Sequence, residues 1–208
     1  MRLLDLGLVP YEQAAALQEE AVAEVYAGGA GRVFLLEHPP TITFGRNGGQ
    51  ENLPFPEAFF TAQGVTLAHT GRGGNITCHF PGQLVVYPIM RVDKRPGGLK
   101  RFFADLEEAV IRTLAVFGIT AGRSEGRPGV WIADNRKICS IGIAVKHWIT
   151  SHGLALNVGA DLSLFNQVTP CGLPGVTATS MALELHRPVP MPDVKAVFGR
   201  EFLELFDN

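Results

Sequence analysis

The feature that most constrains this chain is the order of its patterned segments: strands follow strands, with no regular alternation of strand and helix. Val65 to His69, Ile76 to His79 and Gln83 to Met90 are β-rich, and only Pro81-Gly82 and the glycine-rich stretch GRGGN at 71–75 interrupt them. One helical pattern follows, Leu99 to Phe117, where Phe102, Phe103, Leu106, Val110, Leu114 and Phe117 recur at spacings of three and four before Gly118 ends the run. Strand patterns then resume at Gly129 to Ile132, Ile138 to Val145 and Leu154 to Val158, with Asp134-Asn135 as the turn between the first two. The ends add a strand at Arg2 to Val9, a helix at Tyr11 to Tyr26 with Ala15, Leu17, Val22 and Val25 as its apolar face, short strands at Val33 to Leu36 and Ile42 to Phe44, and a helical turn or two at Pro56 to Gln63. A last helix covers Asp193 to Leu205, striped by Val194, Val197, Phe198, Phe202 and Leu205, and the stretch from Gly159 to Pro174 reads as loop. A doubly wound parallel sheet needs regular βαβ units, so this order predicts an α+β fold: a mixed or antiparallel central sheet flanked by helices.

Size and composition fit one domain spanning 1–208. A chain of 208 residues, 46% apolar and 18% charged, buries about 70% of its unfolded surface and needs neither disulfide nor metal for its core. With 18 basic and 20 acidic residues and no Lys/Arg run, the chain offers nucleic acid or an anionic membrane little electrostatic attraction. Asp5 and Pro10 break the N-terminal apolar stretch, and no apolar run reaches membrane-spanning length. Three irregularly spaced cysteines, Cys78, Cys139 and Cys171, suit free thiols in a reducing compartment, so the expected location is cytoplasmic.

The thiols are not equivalent. Cys139 in KICSIGI follows an apolar strand pattern and reads as a small buried hydrophobe; Cys78 in NITCH reads as a packed or half-exposed strand residue. Cys171 stands between proline and glycine in TPCGLPG, with no apolar period around it. Gly172 lets a substrate or another backbone approach, which makes Cys171 the most reactive-looking of the three. A nucleophilic thiol needs a partner, since its reference pKa is about 8.5. His79, His152, Lys137 and Lys146 are the candidates. Lys137, after the Asp134-Asn135 turn, is either a solvated surface charge or, at the mouth of a buried strand, a partly desolvated amine that trades protons near neutral pH. His79 and His152 have structural hydrogen bonding as their default role. There is no CxxC, HExxH or GxxxxGK[ST], and Ile76 occupies the last glycine position of GxGxxG. GRGGN is either a tight turn or a loop that turns backbone N–H groups towards a carbonyl, phosphate or oxyanion.

Four segments in order, RGGNITCHFPGQLVVYPI at 72–89, KICSIGIAV at 137–145, SHGLALNV at 151–158 and TPCGLPGVTATSM at 169–181, resemble the lipoyl(octanoyl) transferase family over nearly the whole chain. The resemblance implies a fold related to the catalytic domains of biotin and lipoate protein ligases. It implies transfer of octanoyl from acyl carrier protein to a lysine of lipoyl domains in 2-oxoacid dehydrogenase complexes and of the glycine cleavage H protein. No cofactor, metal, nucleic acid or membrane partner is implied. The family's acyl-accepting cysteine falls on Cys171 and its activating lysine on Lys137. Its substrate-lining segments fall on Arg72, Gly73, Gly74, Asn75, Ile76, Thr77, Cys78 and His79, on Ser140, Ile141 and Gly142, and on Gly153, Leu154 and Ala155. The sequence departs from the pattern at Cys78, where tyrosine is common, and at Asn75, where glutamine is common. Two other readings stay open: an ATP-dependent lipoate or biotin ligase, and a non-catalytic module that binds acyl carrier or lipoyl domains.

Overall fold

The computed structural model describes residues 1–49, 51, 53–133, 135–168 and 175–206. The chain runs β1 (Arg2–Leu8), α1 (Tyr11–Tyr26), β2 (Arg32–Glu37), β3 (Thr41–Phe44), α2 (Glu57–Thr61), β4 (Thr66–His69), β5 (Ile76–His79), β6 (Gln83–Ile89) and α3 (Gly98–Val116). It continues with β7 (Gly122–Ser124), β8 (Arg127–Ile132), β9 (Arg136–Lys146), β10 (Ile149–Asn157), a 3-10 turn at Ser163–Gln167, β11 (Thr177–Ala178), α4 (Met181–Leu185) and α5 (Met191–Phe206). The α+β expectation holds. Among the described residues the main sheet has the order β1-β2-β6-β10-β9-β8-β7, with β11 beside β9, and a small sheet has the order β4-β3-β5. The main sheet is antiparallel except where β1 meets β2 and β11 meets β9.

Both faces of the main sheet are covered, which is why its central strands read as unbroken apolar runs. Val33 and Leu35 of β2, with Leu84 and Val86 of β6, face α3 and α5; the alternate residues Phe34, Leu36, Val85 and Tyr87 face α1. The α3/α5 side carries the larger core. There Phe102, Leu106, Val110 and Leu114 meet Val194, Phe198 and Phe202, all fully buried. Asp105 receives hydrogen bonds from Arg95 at 2.5 Å and Arg101 at 2.7 Å, while Arg95 also donates to the Leu205 carbonyl, which ties the end of α5 to the approach of α3.

Helix α1 departs from its expected packing. Its buried stripe is Tyr11, Ala14, Gln18, Ala21 and Val25, with Leu17 and Val22 only partly covered. Small Ala14 and Ala21 let the helix lie close to the sheet, and Gln18 is drawn inward because its side-chain oxygen accepts from the His152 N–H at 2.7 Å.

The main correction concerns β9 and β10. The expected strands stopped at Val145 and resumed at Leu154; instead they form one long hairpin in continuous register from Lys146↔Ile149 to Cys139↔Leu156. The turn is His147-Trp148, with φ of 52° and 64°. Two left-handed residues in a two-residue loop match the twist of a β-hairpin, but histidine and tryptophan lack the Asn-Gly signal that announces it. The short β7, β11 and α4 were also not anticipated; α4 is capped by Ser180, whose hydroxyl accepts from the Leu183 N–H.

No helix among the described residues is long and apolar enough to cross a membrane. Phe198 joins α5 to α3 from a fully buried position. Phe198→Ala is expected to cost about 3–5 kcal/mol, read as a lower urea midpoint with an unchanged slope; a shift under about 1 kcal/mol would place the stabilising contact between these helices elsewhere.

Candidate functional site

The site lies where the loop before β5 crosses the main sheet. The Gly73 N–H donates to the Ile143 carbonyl of β9 at 2.9 Å. The loop is pinned to β3 by Arg72, which donates to the Thr43 carbonyl at 2.6 Å and to the Thr43 hydroxyl at 2.9 Å and 3.2 Å. The crossing needs glycine. A Cβ on Gly142 would stand 2.9 Å from the Gly73 carbonyl oxygen, and one on Gly153, its partner across the β9–β10 ladder, 2.0 Å from the Val86 oxygen. Gly142, in KICSIGI, marks the passage of the loop over β9, and Gly153, in HGLALN, a close approach of β10 to its sheet neighbour β6.

Beneath this crossing is a cavity of about 140 Å³. Its walls gather three separate segments: Arg72 to Thr77 with His79; Lys137 with Ser140, Ile141 and Gly142; and His152 with Gly153, Leu154 and Ala155. All but one of the expected substrate-lining residues thus meet around one space. The exception is Cys78. It alternates to the opposite face of β5, is fully buried in the small-sheet core, and directs its Sγ to the Leu164 carbonyl at 3.6 Å. Sequence reasoning missed Tyr11, Thr43, Tyr87 and Pro128, which complete the wall; Tyr87 lies within the segment at 72–89, and the other three come from outside the motifs.

A second cavity of about 330 Å³ adjoins the first and shares Ile76, Thr77, Lys137 and Ser140 with it. Trp131, Asn157, Phe165, Val168 and Val176 line its other sides. Lys137 therefore stands at the junction. It lies one residue inside β9, because the ladder to β8 and β11 already begins at Arg136. Its side chain passes over Gly129, where a Cβ would come 2.8 Å from its Cε, and its Nζ lies 5.0 Å from the centre of the Trp131 ring. Its backbone carbonyl accepts from the Thr179 N–H at 3.0 Å. Cys171, the expected acyl-bearing residue, lies outside the described residues.

The polar wall is a connected network built from the sequence motifs. His79 contacts Gln83 Oε1 through Nδ1 at 2.8 Å. The Gln83 amide donates to the Cys78 carbonyl at 3.1 Å and to Asn157 Oδ1 at 2.9 Å, and the Asn157 amide donates to the Thr179 carbonyl at 2.9 Å. The Thr179 hydroxyl donates to Glu184, which pairs with Arg136. HFPGQL, HGLALN and TATSM are thus one hydrogen-bonded unit. Gln83 and Asn157 were visible in those motifs but were not singled out.

Burial sets the protonation states. It pushes the Cys139 thiol up to about 12 and raises Cys78 further, so neither holds a thiolate at neutral pH. Burial, reinforced by neighbouring His38, lowers His79 well below the ordinary histidine value, and burial also lowers His38. His152 is lowered to about 4 by burial, with Arg72 and Arg46 adding to the effect. Lys146 lies on the far side, in the groove beside α1. No three His, Cys, Asp or Glu side chains cluster as a metal site among the described residues.

The chain matches the family model for the lipoyl protein ligase A/B catalytic domain over residues 10–203. It belongs to that family. Within the lipoyl protein ligase A/B family it is similar to proteins named octanoyltransferase. One from Nitratidesulfovibrio vulgaris (strain DP4) is 58% identical over 100% of this chain and 95% of its own length. Another, from Geobacter metallireducens, is 41% identical over 100% of this chain and 94% of its own length. Among solved structures, a bipartite lipoate protein ligase from Thermoplasma acidophilum superposes with a TM-score of 0.78 at 19% identity, covering 99% of this chain and 83% of that one. Biotin protein ligase from Aquifex aeolicus in complex with biotin and ATP gives a TM-score of 0.62 at 12% identity, covering 99% and 70%. The structural likenesses establish the expected ligase-type fold.

Two outcomes follow from this geometry. Gly153→Ala is expected to destabilise by about 1–3 kcal/mol through overpacking against the Val86 carbonyl, measured by urea unfolding; wild-type stability would show that the β6–β10 approach tolerates a Cβ. The pH outcome has a defined sign. An unfolded histidine takes its proton near pH 6.5, whereas folded His152 resists until about 4. Stability is therefore full above about pH 6.5 and is lost as pH falls towards about 4, with His38 and His79 acting in the same direction. A flat urea midpoint between pH 7 and 4.5 would contradict these neutral histidines.

Proposed function

We propose that this chain is an octanoyltransferase, one catalytic domain over residues 1–208 acting in the cytoplasm, that transfers octanoyl from octanoyl-acyl carrier protein to a lysine of lipoyl domains through a thioester on Cys171. The acceptors are lipoyl domains of 2-oxoacid dehydrogenase complexes and the glycine cleavage H protein. The observation that carries the reading is the junction at Lys137, where two cavities walled by the family segments meet. Val168 and Val176, on either side of the segment containing Cys171, line the cavity that reaches Lys137. Burial holds Cys78 and Cys139 as neutral thiols, which supports Cys171 as the nucleophile of this reading. The names and full-length identity of the relatives support the octanoyl group.

In the first half-reaction the Cys171 thiol gives its proton to Lys137, its sulfur attacks the thioester carbonyl, and the carrier thiolate leaves with a proton from Lys137. One thioester replaces another, so no ATP is consumed. In the second half-reaction the acceptor amine attacks the same carbonyl, the C–S bond to Cys171 breaks, and the amine proton passes by way of Lys137 to the cysteine sulfur. The acyl tail contributes about 0.8 kcal/mol per buried methylene, roughly 5 kcal/mol in all, and one methylene discriminates by only about 1–3 kcal/mol.

A ligase reading draws on the shared fold, since the superposed neighbours are lipoate and biotin ligases. Incubation with octanoyl-acyl carrier protein and no ATP separates the two. An octanoyl mass increase on the peptide containing Cys171, absent in Cys171→Ser, is expected; a strict ATP requirement sinks the transferase reading. Lys137→Ala is expected to slow acylation of Cys171 by about 10²–10⁴ without a change in the circular dichroism spectrum. Single-turnover rates equal to wild type from pH 6 to 9 would remove Lys137 from the mechanism.

A further inference from the structure

His79 is a titratable group in the cavity wall that the proposed mechanism leaves without a task. The hydrogen bonds around it fix which ring nitrogen carries the proton. A backbone carbonyl can only accept, so the Thr179 carbonyl orients the Asn157 side chain with its NH₂ outward and Oδ1 towards Gln83. Asn157 Oδ1 and the Cys78 carbonyl then take both hydrogens of the Gln83 amide. Gln83 therefore presents only its oxygen to His79, at 2.8 Å, and Nδ1 must be the N–H that donates to it. Nε2 is left with a lone pair.

The opposite side of the ring agrees with this tautomer. The Thr43 hydroxyl oxygen accepts from Arg72 Nε at 3.2 Å and Nη2 at 2.9 Å, which occupies both of its lone pairs. Thr43 has only its proton left for Nε2, and it stands 3.5 Å away. That is beyond the usual reach of a hydroxyl donor. Among the described residues this long contact is the one polar partner of Nε2, and His79 lines the cavity. The charged and titratable groups that face the ring are Arg72, His38 (ring centres 5.5 Å apart) and His152. Among these Arg72 is cationic, and it opposes a second positive charge on His79.

We propose that His79 is a fixed hydrogen-bond acceptor, through Nε2, for an N–H of the incoming acceptor amine, and that Gln83 and Asn157 are the positioning residues that lock its tautomer. The proposal rests on the octanoyltransferase reading and deepens it. Of the two substrates, the acceptor lysine carries N–H bonds on the reacting atom itself. Holding one of them directs the nitrogen lone pair at the acyl carbonyl, while the proton lost on attack goes to Lys137. The same tautomer has no proton at Nε2, so His79 does not stabilise the oxyanion.

Two measurements test this. The first uses the full-length protein labelled with ¹⁵N-histidine, with the His79 signals identified by their loss in His79→Asn. A protonated Nδ1 and a lone-pair Nε2, unchanged from pH 8 to 5.5, are expected. A proton on Nε2, or a titration midpoint within that range, overturns the proposal. In Asn157→Leu the Gln83 amide keeps only the Cys78 carbonyl, so its orientation is less firmly held and an Nε2–H population should appear; its absence removes Asn157 from the lock. The second measurement separates the half-reactions in His79→Leu. Transfer from preformed octanoyl-enzyme to a lipoyl domain should slow about 10- to 100-fold, with acylation by octanoyl-acyl carrier protein within about threefold of wild type. Equal loss in both half-reactions, or in neither, overturns the assignment. If wild type forms no acyl-enzyme at all, the octanoyltransferase reading fails, while the nitrogen spectra still report the tautomer.

Discussion

The site depends on one close crossing of backbone over backbone. The loop at 72–75 touches β9 through the Gly73 N–H and the Ile143 carbonyl, and glycine at 142 makes that distance attainable. The small sheet supplies the loop, since β3 holds Arg72 through Thr43 and β5 continues from the loop into His79. The main sheet supplies the floor. Without the crossing, the glycine-rich loop, Lys137 and the β10 motif would lie on separate surfaces. With it, they line one cavity whose wall is mostly apolar, as an aliphatic chain requires.

Burial then decides which groups remain chemically available. The two histidines of the wall, His79 and His152, and His38 beside His79 are held neutral, and the two buried thiols are held protonated. Burial in a low-dielectric setting strengthens the polar interactions of the wall. The network through Gln83 and Asn157 consists of neutral amides and carbonyls, so it orients groups without placing charge inside the protein. Charged pairs sit at its outer end, where Glu184 meets Arg136 nearer to solvent.

Much of the fold was legible in the sequence. The phenylalanine stripes of α3 and α5 and the β-rich runs each follow the period of the element they form, because one face of each packs on the core. The failures have local causes. The β9–β10 hairpin turns on histidine and tryptophan in left-handed conformations, a geometry their side chains do not announce. The stripe of α1 was misplaced because its buried face holds small alanines and a glutamine, whose place is set by contact with β10 rather than by hydrophobicity. Cys78 was included in the wall because a contiguous stretch was carried over whole, although alternation along a strand sends every second residue to the other face.

By itself, the sequence determined that the chain is α+β, a local property of periodicity and turn residues, and its resemblance to the lipoyl(octanoyl) transferase family pointed to the segments and to the cysteine proposed to bear chemistry. Tertiary structure alone decided that those segments share one cavity, that Lys137 stands at the junction of two, and that His79 presents a lone pair rather than a proton. Contact between distant residues depends on sheet order, and the tautomer depends on acceptors contributed by β5, β10 and the turn before α4. Neither is encoded in any single stretch of chain.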